Sequence, residues 1–405
     1  MSSIINHLQD MQKLLLDNLS TDFKRFLFQK IDFSQRLIGI IGPRGVGKTT
    51  LILQYLKTVK TKNFLYLSAD NFLLKKGNLY NLVENFYWQE KGRLICLDEI
   101  HRYKNWNQEI KNLYDCFPDL QIIFSGSSSL DLIKGKYDLS RRALMYNLPG
   151  LSFREFLILE GKKEISPISW ENLLKNYKNI SQDISNSSIL YDFKKYLQRG
   201  YYPFYLEDKE IIFFYQKINN ILEKTIYEDI ASFYKLKTEN LYIFKEIIQF
   251  LSLVSPGEIN IYKLAKSIKK NYETISHYLQ ILQEACLVRF LHNNKLSGHA
   301  FIRKTKKFFL DNTNILQAIN FNLGNEVNIG TCRELFILNQ LQNANYQVSF
   351  SAKADFLIEN ITLEIGGKNK DFHQIKNIPN SYLVIDNILT ATEKKIPLYL
   401  FGFLY

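Results

Sequence analysis

The strongest chemical pattern in the sequence is a glycine-rich loop that runs from residue 42 to residue 50. It consists of Gly42, Pro43, Arg44, Gly45, Val46, Gly47, Lys48, Thr49 and Thr50. The spacing is G-x-x-x-x-G-K-[ST], after an apolar run and before a helical one, which is the context of a phosphate-binding loop. The glycines let successive N–H groups face phosphate oxygens, Lys48 supplies charge for the β- and γ-phosphates, and Thr49 offers a hydroxyl to Mg²⁺. The pattern predicts that these residues bind ATP together with Mg²⁺.

Two carboxylates, Asp98 and Glu99, directly follow the apolar run Leu94–Leu97. An acid at the end of a buried strand beside a phosphate loop can hold Mg²⁺ through the water shell of the ion. The acid that follows lies where it can polarise an attacking water as a general base. We therefore expect Asp98 to bind the metal and Glu99 to be the catalytic base of an ATPase.

Further polar side chains are candidates for contact with the γ-phosphate. The apolar run Leu120–Phe124 leads into Ser125–Ser129, the position called sensor 1, where we expect Ser127 to orient the attacking water or contact the γ-phosphate. The serines could equally cap the helix that follows. Arg141 and Arg142 could stabilise transition-state charge, from the same subunit or a neighbouring one, or could be ordinary surface arginines.

The composition limits the classes of protein to which the chain can belong. Its 405 residues are 46% hydrophobic, which excludes a mainly disordered protein. The formal net charge of +12 fits either a polyanionic partner such as nucleic acid or a basic solvated surface. The 4 cysteines lack the short spacing of a zinc site or a dense disulfide framework. No signal peptide or membrane span is visible, so we expect a cytoplasmic protein.

Short strands that alternate with helices must position the candidate catalytic side chains. The predicted strands are Leu37–Ile41, Phe64–Leu67, Leu94–Leu97, Ile122–Phe124 and Ala143–Tyr146. The first four end in small or acidic residues, as strands of a parallel sheet do beside a ligand. Changes in pattern divide the chain into an ATPase domain with an N-terminal helix, a helical aromatic-rich segment, a helical segment that ends in strands, and a C-terminal segment. Their ranges are 1–150, 151–236, 237–310 and 311–405.

Four motifs together resemble a family of archaeal and bacterial AAA-type ATPases, in which a P-loop domain is fused to a C-terminal half of uncharacterised function. The motifs are Gly42–Thr49, Leu94–His101, Ser125–Ser129 and Leu148–Phe156. The resemblance extends over essentially the whole chain. It implies an α/β fold with an AAA-type P-loop NTPase core whose parallel sheet has the strand order 5-1-4-3-2. It also implies a helical lid in the second segment, a winged helix in the third and an α/β nuclease-like domain in the fourth.

The order of elements in the third segment also predicts a helix-turn-helix with a wing. Helical periodicity covers Asn240–Leu253, Ile259–Ile268 and Tyr272–Ala285, and a strand follows at Cys286–Leu291. We expect exposed side chains of the third helix, and lysines at its entry, to bind DNA, unless the winged helix packs only on protein. These residues are Lys266, Lys269, Lys270, His277 and Tyr278.

The fourth segment carries acids in an order typical of restriction-type nucleases. Glu334 lies in a predicted helix, Asp355 begins a predicted strand, and Glu364 lies in the next strand. In the PD-(D/E)xK fold, two carboxylates bind Mg²⁺ and a lysine two residues after the second acid activates water. Asp355 and Glu364 are therefore candidate metal ligands.

The lysine of that nuclease pattern is absent from its usual position, where Gly366 stands. Lys368 or Lys370 could reach back toward the acids. Without the lysine, the attacking hydroxide loses its usual electrostatic support. We therefore expect a nuclease-like domain that is catalytically inactive, with an active enzyme as the alternative.

The predicted function is Mg²⁺-dependent binding and hydrolysis of ATP, with the nucleotide state coupled to DNA binding through the winged helix. One alternative is a slowly hydrolysing signalling or assembly switch, whose winged helix contacts a protein partner or a second copy of the chain. Another is an ATP-regulated DNA nuclease.

Overall fold

The structure is a computed structural model that describes residues 2–60, 63–71, 78–127, 139, 141–162, 164–293, 306–351 and 353–405. The chain divides into two compact units, Met1–Gly150 and Leu151–Tyr405. Within the described ranges, no helix is both long and apolar enough to cross a membrane.

The first unit is built on a five-stranded parallel sheet in the order β2-β3-β4-β1-β5. The strands are β1 (Leu37–Gly42), β2 (Phe64–Ser68), β3 (Leu94–Asp98), β4 (Gln121–Ser127) and β5 (Leu144–Asn147). All five predicted strands are present, and their order is the predicted 5-1-4-3-2 read from the other edge. The α/β fold with an AAA-type P-loop core is thus confirmed.

Helices cover this sheet, which explains why its strands are almost entirely apolar. The helices in the described part of this unit are α1 (Ser2–Asp17), α2 (Lys48–Thr58), α3 (Leu79–Gln89) and α4 (Trp106–Cys116). Strand β3 is buried along its whole length, as expected for a parallel strand with both faces covered. Ile5 and Leu8 of α1 belong to the same apolar core as Ile95 of β3 and Phe124 of β4, so the N-terminal helix is part of the unit.

The second unit is built on a seven-stranded mixed sheet in the order β12-β11-β10-β9-β8-β6-β7. The strands are β6 (Val288–Asn293), β7 (Lys306–Leu310), β8 (Val348–Ser351), β9 (Ala354–Ile358), β10 (Ile361–Gly366), β11 (Ser381–Ile385) and β12 (Lys395–Pro397). The helices are α5 (Phe153–Leu159), α6 (Trp170–Ile184), α7 (Ile189–Arg199), α8 (Ile211–Lys224), α9 (Thr238–Leu253), α10 (Ile261–Ser267), α11 (Tyr272–Glu284), α12 (Thr313–Asn322) and α13 (Ile329–Asn343). Helix α8 continues through a π-helical segment, Thr225–Ile230, into one more helical turn.

The structure differs from the predicted division of residues 151–405 into a lid, a winged helix and a nuclease-like domain. Strand β6, from the predicted winged helix, pairs in parallel with β8 of the C-terminal segment. Phe193, from the predicted lid, packs edge-on against Phe336 of α13 with ring centroids 4.9 Å apart. Separate domains would leave the edge of β6 unpaired and the apolar face of α7 exposed. The third and fourth segments therefore share one sheet, and the second segment packs against the fourth within the same compact unit.

Helices α9, α10 and α11, followed by β6 and β7, have the element order of a helix-turn-helix with a wing. Helix α11 packs against α9, α10 and β6, and β7 returns antiparallel to β6. Asn271 precedes α11 and accepts a hydrogen bond from the N–H of Thr274, which fixes the start of this helix. The packing of α11 and its fixed first turn therefore hold α10 and the start of α11 together as one surface.

Candidate nucleotide site

The glycine-rich loop connects β1 to α2 at the carboxyl edge of the parallel sheet. Gly47 adopts a left-handed conformation (φ 95°) just before α2, which glycine does without steric cost. At Gly42, a Cβ would lie 2.1 Å from the carbonyl oxygen of Leu148, so a side chain has no room there. The loop is therefore held against the segment that follows β5.

Asp98, the last residue of β3, accepts hydrogen bonds from hydroxyl groups on three different elements. Its Oδ2 accepts from Thr49 Oγ1 at 2.6 Å and from the Tyr66 hydroxyl at 2.8 Å. Its Oδ1 accepts from Ser125 Oγ of β4. The neighbouring hydroxyl and carboxylate oxygens of Thr49 and Asp98 are the kind of ligand that Mg²⁺ prefers. The predicted pair of Mg²⁺-binding residues is thus brought together.

Glu99 lies next to the phosphate loop, surrounded by basic side chains. Its Oε1 is 3.9 Å from Lys48 Nζ, and its Oε2 is 4.0 Å from Arg44 Nη1 and 3.5 Å from His101 Nε2. Within the described residues, the buried Oε2 atom accepts no hydrogen bond. A buried acceptor without a donor fits an atom that receives a hydrogen bond from water in a loaded site.

Lys48 is buried at the mouth of the loop. Its Nζ donates hydrogen bonds to the carbonyl oxygens of Gly42 and Pro43, each at 3.0 Å. Because the side chain is held beside the loop backbone, its charge lies where the predicted phosphate groups would be bound. Lys48, Thr49, Asp98 and Glu99 therefore converge on one edge of the sheet, as the motifs predicted.

Within the serine run, Ser125 is the member that the structure describes in contact with the two acids, and the role expected of Ser127 stays a prediction. Ser125 Oγ donates to Asp98 and accepts a hydrogen bond from the Glu99 N–H at 3.1 Å. Ser127 ends β4, and its backbone is paired with Gly42; its side chain lies outside the described part of the structure. The serine run was identified from sequence, but the member that contacts both acids is Ser125.

Tyr66 of β2 is a site residue that the sequence analysis missed. Burial, followed by the charge of Asp98, raises the pKa of Tyr66 above its ordinary value, so its hydroxyl stays protonated and donates to Asp98. The available signal was a lone phenol within an otherwise apolar strand that neighbours β3. Such a buried hydroxyl needs a polar partner.

Arg141 and Arg142 do not contact the nucleotide site of their own chain. They precede β5, whose first residue pairs with Ile38 near the start of β1, so they lie at the amino edge of the sheet. The phosphate loop lies at the opposite edge, about 20 Å away at 3.3 Å per residue of strand. Arg142 also forms two hydrogen bonds to the carboxylate of Asp115, both at 3.0 Å. Contact with the nucleotide of a neighbouring copy stays a prediction.

Arg25, which precedes the motif-bearing strands, was also missed. The side chain is only 4% exposed and its guanidinium joins two parts of the unit. Nη1 donates to the carbonyl oxygen of Val46 in the phosphate loop at 2.6 Å. Nη2 donates to the carbonyl oxygens of Pro149 and Gly150 at 2.8 and 2.9 Å. Arg25 thus ties the phosphate loop to the last residues of the first unit.

In the second unit, Tyr278 was predicted to be an exposed DNA-binding residue, but it is buried. Tyr278 is 6% exposed and stacks on Phe244 of α9 with ring centroids 4.5 Å apart. It lies three residues after Ile275 and four before Leu282, both buried, and so belongs to the apolar stripe of α11. His277 is exposed. The lysines Lys266, Lys269 and Lys270 are also exposed, as predicted.

The acids of the C-terminal segment lie close to lysine side chains. Glu334 on α13 and Asp355 on β9 are 4.0 and 3.9 Å from Lys307 Nζ. Glu364 on β10 is 2.6 Å from Lys370 Nζ and accepts a hydrogen bond from Gln374 at 3.2 Å. Among the residues that the structure describes, no group of three or more histidines, cysteines or acids is arranged to hold a metal ion.

The environment of these acids perturbs their protonation. Burial, and then the charge of Asp355, raises the pKa of Glu334 to about 7, although Lys307 acts in the opposite direction. The same two causes raise the pKa of Glu364. Burial disfavours the charged form of Lys370, but its hydrogen bond to Glu364 and the charges of the neighbouring acids together outweigh burial and raise the pKa of Lys370. Lys370, rather than Lys368, is the lysine that reaches back. A side chain at Gly366 would meet the Lys370 Cβ at 2.5 Å.

The family comparison agrees with the geometry of the first unit. Residues 34–157 match the family described as AAA domain. These residues form an AAA-type P-loop domain. The match includes the phosphate loop, both acids and Ser125, but not Arg25. Residues 190–326 match a domain of unknown function.

Two relatives align with much of the chain. An uncharacterised protein of Methanocaldococcus jannaschii is 28% identical over 431 residues, which cover 97% of this chain and 90% of the relative. An uncharacterised protein of Haemophilus influenzae is 24% identical over 304 residues, which cover 70% of this chain and 68% of the relative.

Solved structures match at low similarity. AMPPCP-bound DnaA from Aquifex aeolicus has a TM-score of 0.27 and 18% identity, covering 64% of this chain and 84% of DnaA. The Hsp104–ADP complex of S. cerevisiae has a TM-score of 0.33 and 15% identity, covering 67% of this chain and 41% of Hsp104. Similarity at this level implies nothing about function.

Proposed function

We propose that the chain is a Mg²⁺-dependent ATPase whose nucleotide state controls DNA binding by the helix-turn-helix. The main support for ATPase activity is the convergence of four side chains at one edge of the sheet. Thr49 and Asp98 are hydrogen-bonded at 2.6 Å, and Lys48 and Glu99 lie beside them. Bound Mg²⁺ would supply charge that polarises the γ-phosphate. Thr49 and Asp98 fit that ion because both present oxygen atoms.

The protein groups have separate roles in this proposal. Lys48 neutralises phosphate charge, and the phosphate loop supplies backbone N–H groups. Glu99 takes the proton of the attacking water at its Oε2 atom, which is buried without a hydrogen-bond donor in the described residues. Ser125 orients both acids, because it bonds the side chain of Asp98 and the N–H of Glu99.

A route for coupling begins at the phosphate loop itself. Arg25 bonds the carbonyl oxygen of Val46 in the loop and those of Pro149 and Gly150 where the first unit ends. Gly42 lies directly against Leu148 in the same segment. A change in the loop on nucleotide binding or release would therefore act on the backbone that leads out of the AAA domain.

The proposed DNA-binding surface consists of Lys266, Lys269, Lys270 and His277. All four are exposed on α10, the turn and α11. Lysines in such a turn can neutralise DNA phosphates and release bound counterions. The net charge of +12 favours the same kind of partner.

The test of coupling measures phosphate release from ATP by the full chain with Mg²⁺, alone and with single- or double-stranded DNA. Stimulation by DNA would support the proposal. Equal rates with and without DNA, together with ATP-dependent assembly, would contradict it and favour the assembly switch instead.

The test of the surface measures DNA affinity against salt concentration. Changing Lys266, Lys269 and Lys270 to Ala should flatten the log–log slope on duplex DNA by about two to three units, at about 0.9 per phosphate contact. A control variant changes the exposed Lys175, Lys178 and Lys194, elsewhere in the same unit, and should leave the slope unchanged. If both triple variants flatten the slope equally, DNA binds a surface other than the one proposed.

For the nuclease-like acids we propose a catalytically inactive site. Lys307 and Lys370 already neutralise the carboxylates, so the cluster is satisfied without a metal ion. In a Lys48→Ala background, Mn²⁺ should therefore raise the melting temperature little, and DNA should not be cleaved. Metal-dependent nicking that Asp355→Ala abolishes would contradict the proposal.

A further inference from the structure

A pair of stacked tyrosines, one exposed and one half-buried, lies between the lysines of the helix-turn-helix. Tyr262, the second residue of α10, is 69% exposed, and Tyr272 is the first residue of α11. Their ring centroids are 4.5 Å apart and the ring planes differ by 26°. Although α10 and α11 are separated by a turn, the packing of the two helices brings the rings together.

The surroundings of this pair are strongly basic. Lys263, Lys266, Lys269 and Lys270 are all exposed, and within the described residues none of them is paired with a carboxylate. Glu273 is the single acid between residues 259 and 280. An aromatic face framed by four lysines complements a ligand that combines flat rings with repeated negative charge.

We propose that Tyr262 and Tyr272 form a stacking platform for an unpaired base of single-stranded nucleic acid, with the neighbouring lysines along the phosphate backbone. The inference rests on the proposed DNA binding and specifies the form of the strand. Aromatic rings stack on bases whose faces are free, and such faces are available in single strands but not within a duplex.

The stacked arrangement explains why a tyrosine pair is suited to this role. Tyr272 packs on one side of the Tyr262 ring, which limits its rotation before any ligand binds. A ring that is already ordered loses less conformational entropy when a base is added to the stack. The start of α11 is itself fixed by Asn271, so the platform belongs to a rigid part of the motif.

The experiment uses the full chain and a single-stranded oligonucleotide of thymidines that carries one 2-aminopurine, whose fluorescence falls when the base stacks. Binding should quench this fluorescence, and Tyr262→Ala should weaken affinity about 5- to 150-fold, the range found for the loss of one base–aromatic stack. Tyr262→Phe keeps the ring face and should remain within about threefold of the wild type.

The control is Tyr191→Ala, which removes an equally exposed tyrosine (72%) from α7 without touching the platform. If Tyr262→Ala and Tyr191→Ala bind alike while the triple lysine variant loses its salt dependence, DNA binding stands and the stacking platform is refuted. If the wild type binds no nucleic acid, both proposals fail. Tighter binding to duplex than to single strands, with no quenching, would also refute the platform.

Discussion

Replacing Arg25 by Ala should weaken both the first unit and its affinity for nucleotide, because one buried guanidinium holds the phosphate loop against residues 149 and 150. The change removes three hydrogen bonds to the carbonyl oxygens of Val46, Pro149 and Gly150. At about 1.5–3 kcal/mol for each bond from a charged donor, the gross loss is roughly 5–9 kcal/mol. Relief from burying the charged guanidinium offsets several kcal/mol of that loss. We expect a net destabilisation of about 2–4 kcal/mol.

The assay follows thermal unfolding of the full chain with and without a non-hydrolysable ATP analogue. Because nucleotide binds the first unit, the transition whose melting temperature the analogue raises is the unfolding of that unit. For a unit of this size, the expected loss lowers the melting temperature by about 5–15 °C. A loosened phosphate loop should also weaken nucleotide binding by about tenfold, or about 1.4 kcal/mol.

Arg36→Ala is a matched control for this experiment. Arg36 also donates to two backbone carbonyl oxygens in the first unit, those of Tyr114 and Phe117, at 2.8 and 3.1 Å. It precedes β1 and therefore lies at the edge of the sheet opposite the phosphate loop. Arg36→Ala should destabilise the unit but leave the nucleotide affinity of the folded protein within about twofold. Equal affinity of the two folded variants would refute the role assigned to Arg25.

Three further predictions concern Ser125, the helix-turn-helix and Glu334. Ser125→Ala should retain nucleotide binding but lower the rate of hydrolysis at least about tenfold, because Asp98 and the Glu99 N–H lose their shared partner; phosphate release and equilibrium binding measure the two effects separately. Tyr278→Ala should destabilise the second unit by about 3–5 kcal/mol through the loss of its contact with Phe244, whereas His277→Ala should change stability by less than about 0.5 kcal/mol in urea unfolding. Because the pKa of Glu334 is raised on folding, the folded state holds a proton that the unfolded state releases between about pH 4.5 and 7. The free energy of unfolding should therefore fall as pH rises through that window, by at most about 3 kcal/mol, and Glu334→Gln should reduce the dependence in unfolding titrations.

Much of the nucleotide site could be predicted because local patterns determine it. Glycines before a lysine and a threonine specify a loop that turns into α2, and parallel strands bring Lys48, Asp98 and Glu99 to one edge. Those rules need only the order of strands along the chain. They do not say which hydroxyl of a run faces a given acid, and therefore Ser125 was not distinguished from Ser127.

The roles of other residues could not be predicted because they depend on contacts between positions far apart in the sequence. Arg25 reaches Pro149 and Gly150 across more than 120 residues of chain, and no local pattern indicates such a pairing. Arg142 was a candidate for contact with the γ-phosphate of its own subunit or of a neighbouring one. The parallel pairing of β5 with β1 places it at the edge opposite the phosphate loop of its own chain.

In the second unit, the local elements could likewise be predicted, but the long-range pairing of its strands could not. The helices over residues 238–284 were predicted closely, since their periodicity is local. The phase of α11 already grouped Tyr278 with Ile275 and Leu282, so its burial could have been deduced. The pairing of β6 with β8 could not, because it joins residues more than 50 positions apart and merges predicted domains.

Glu99 is proposed to activate water for the hydrolysis of ATP held by the phosphate loop. The most direct measurement compares ATP turnover and ATP binding in the wild type and Glu99→Gln, with and without Mg²⁺. We predict Mg²⁺-dependent phosphate release by the wild type. In Glu99→Gln, ATP should stay bound while turnover falls by about 10²–10⁴, the range for loss of a general base. Unchanged turnover in Glu99→Gln, or a wild type that binds no nucleotide, would contradict this proposal.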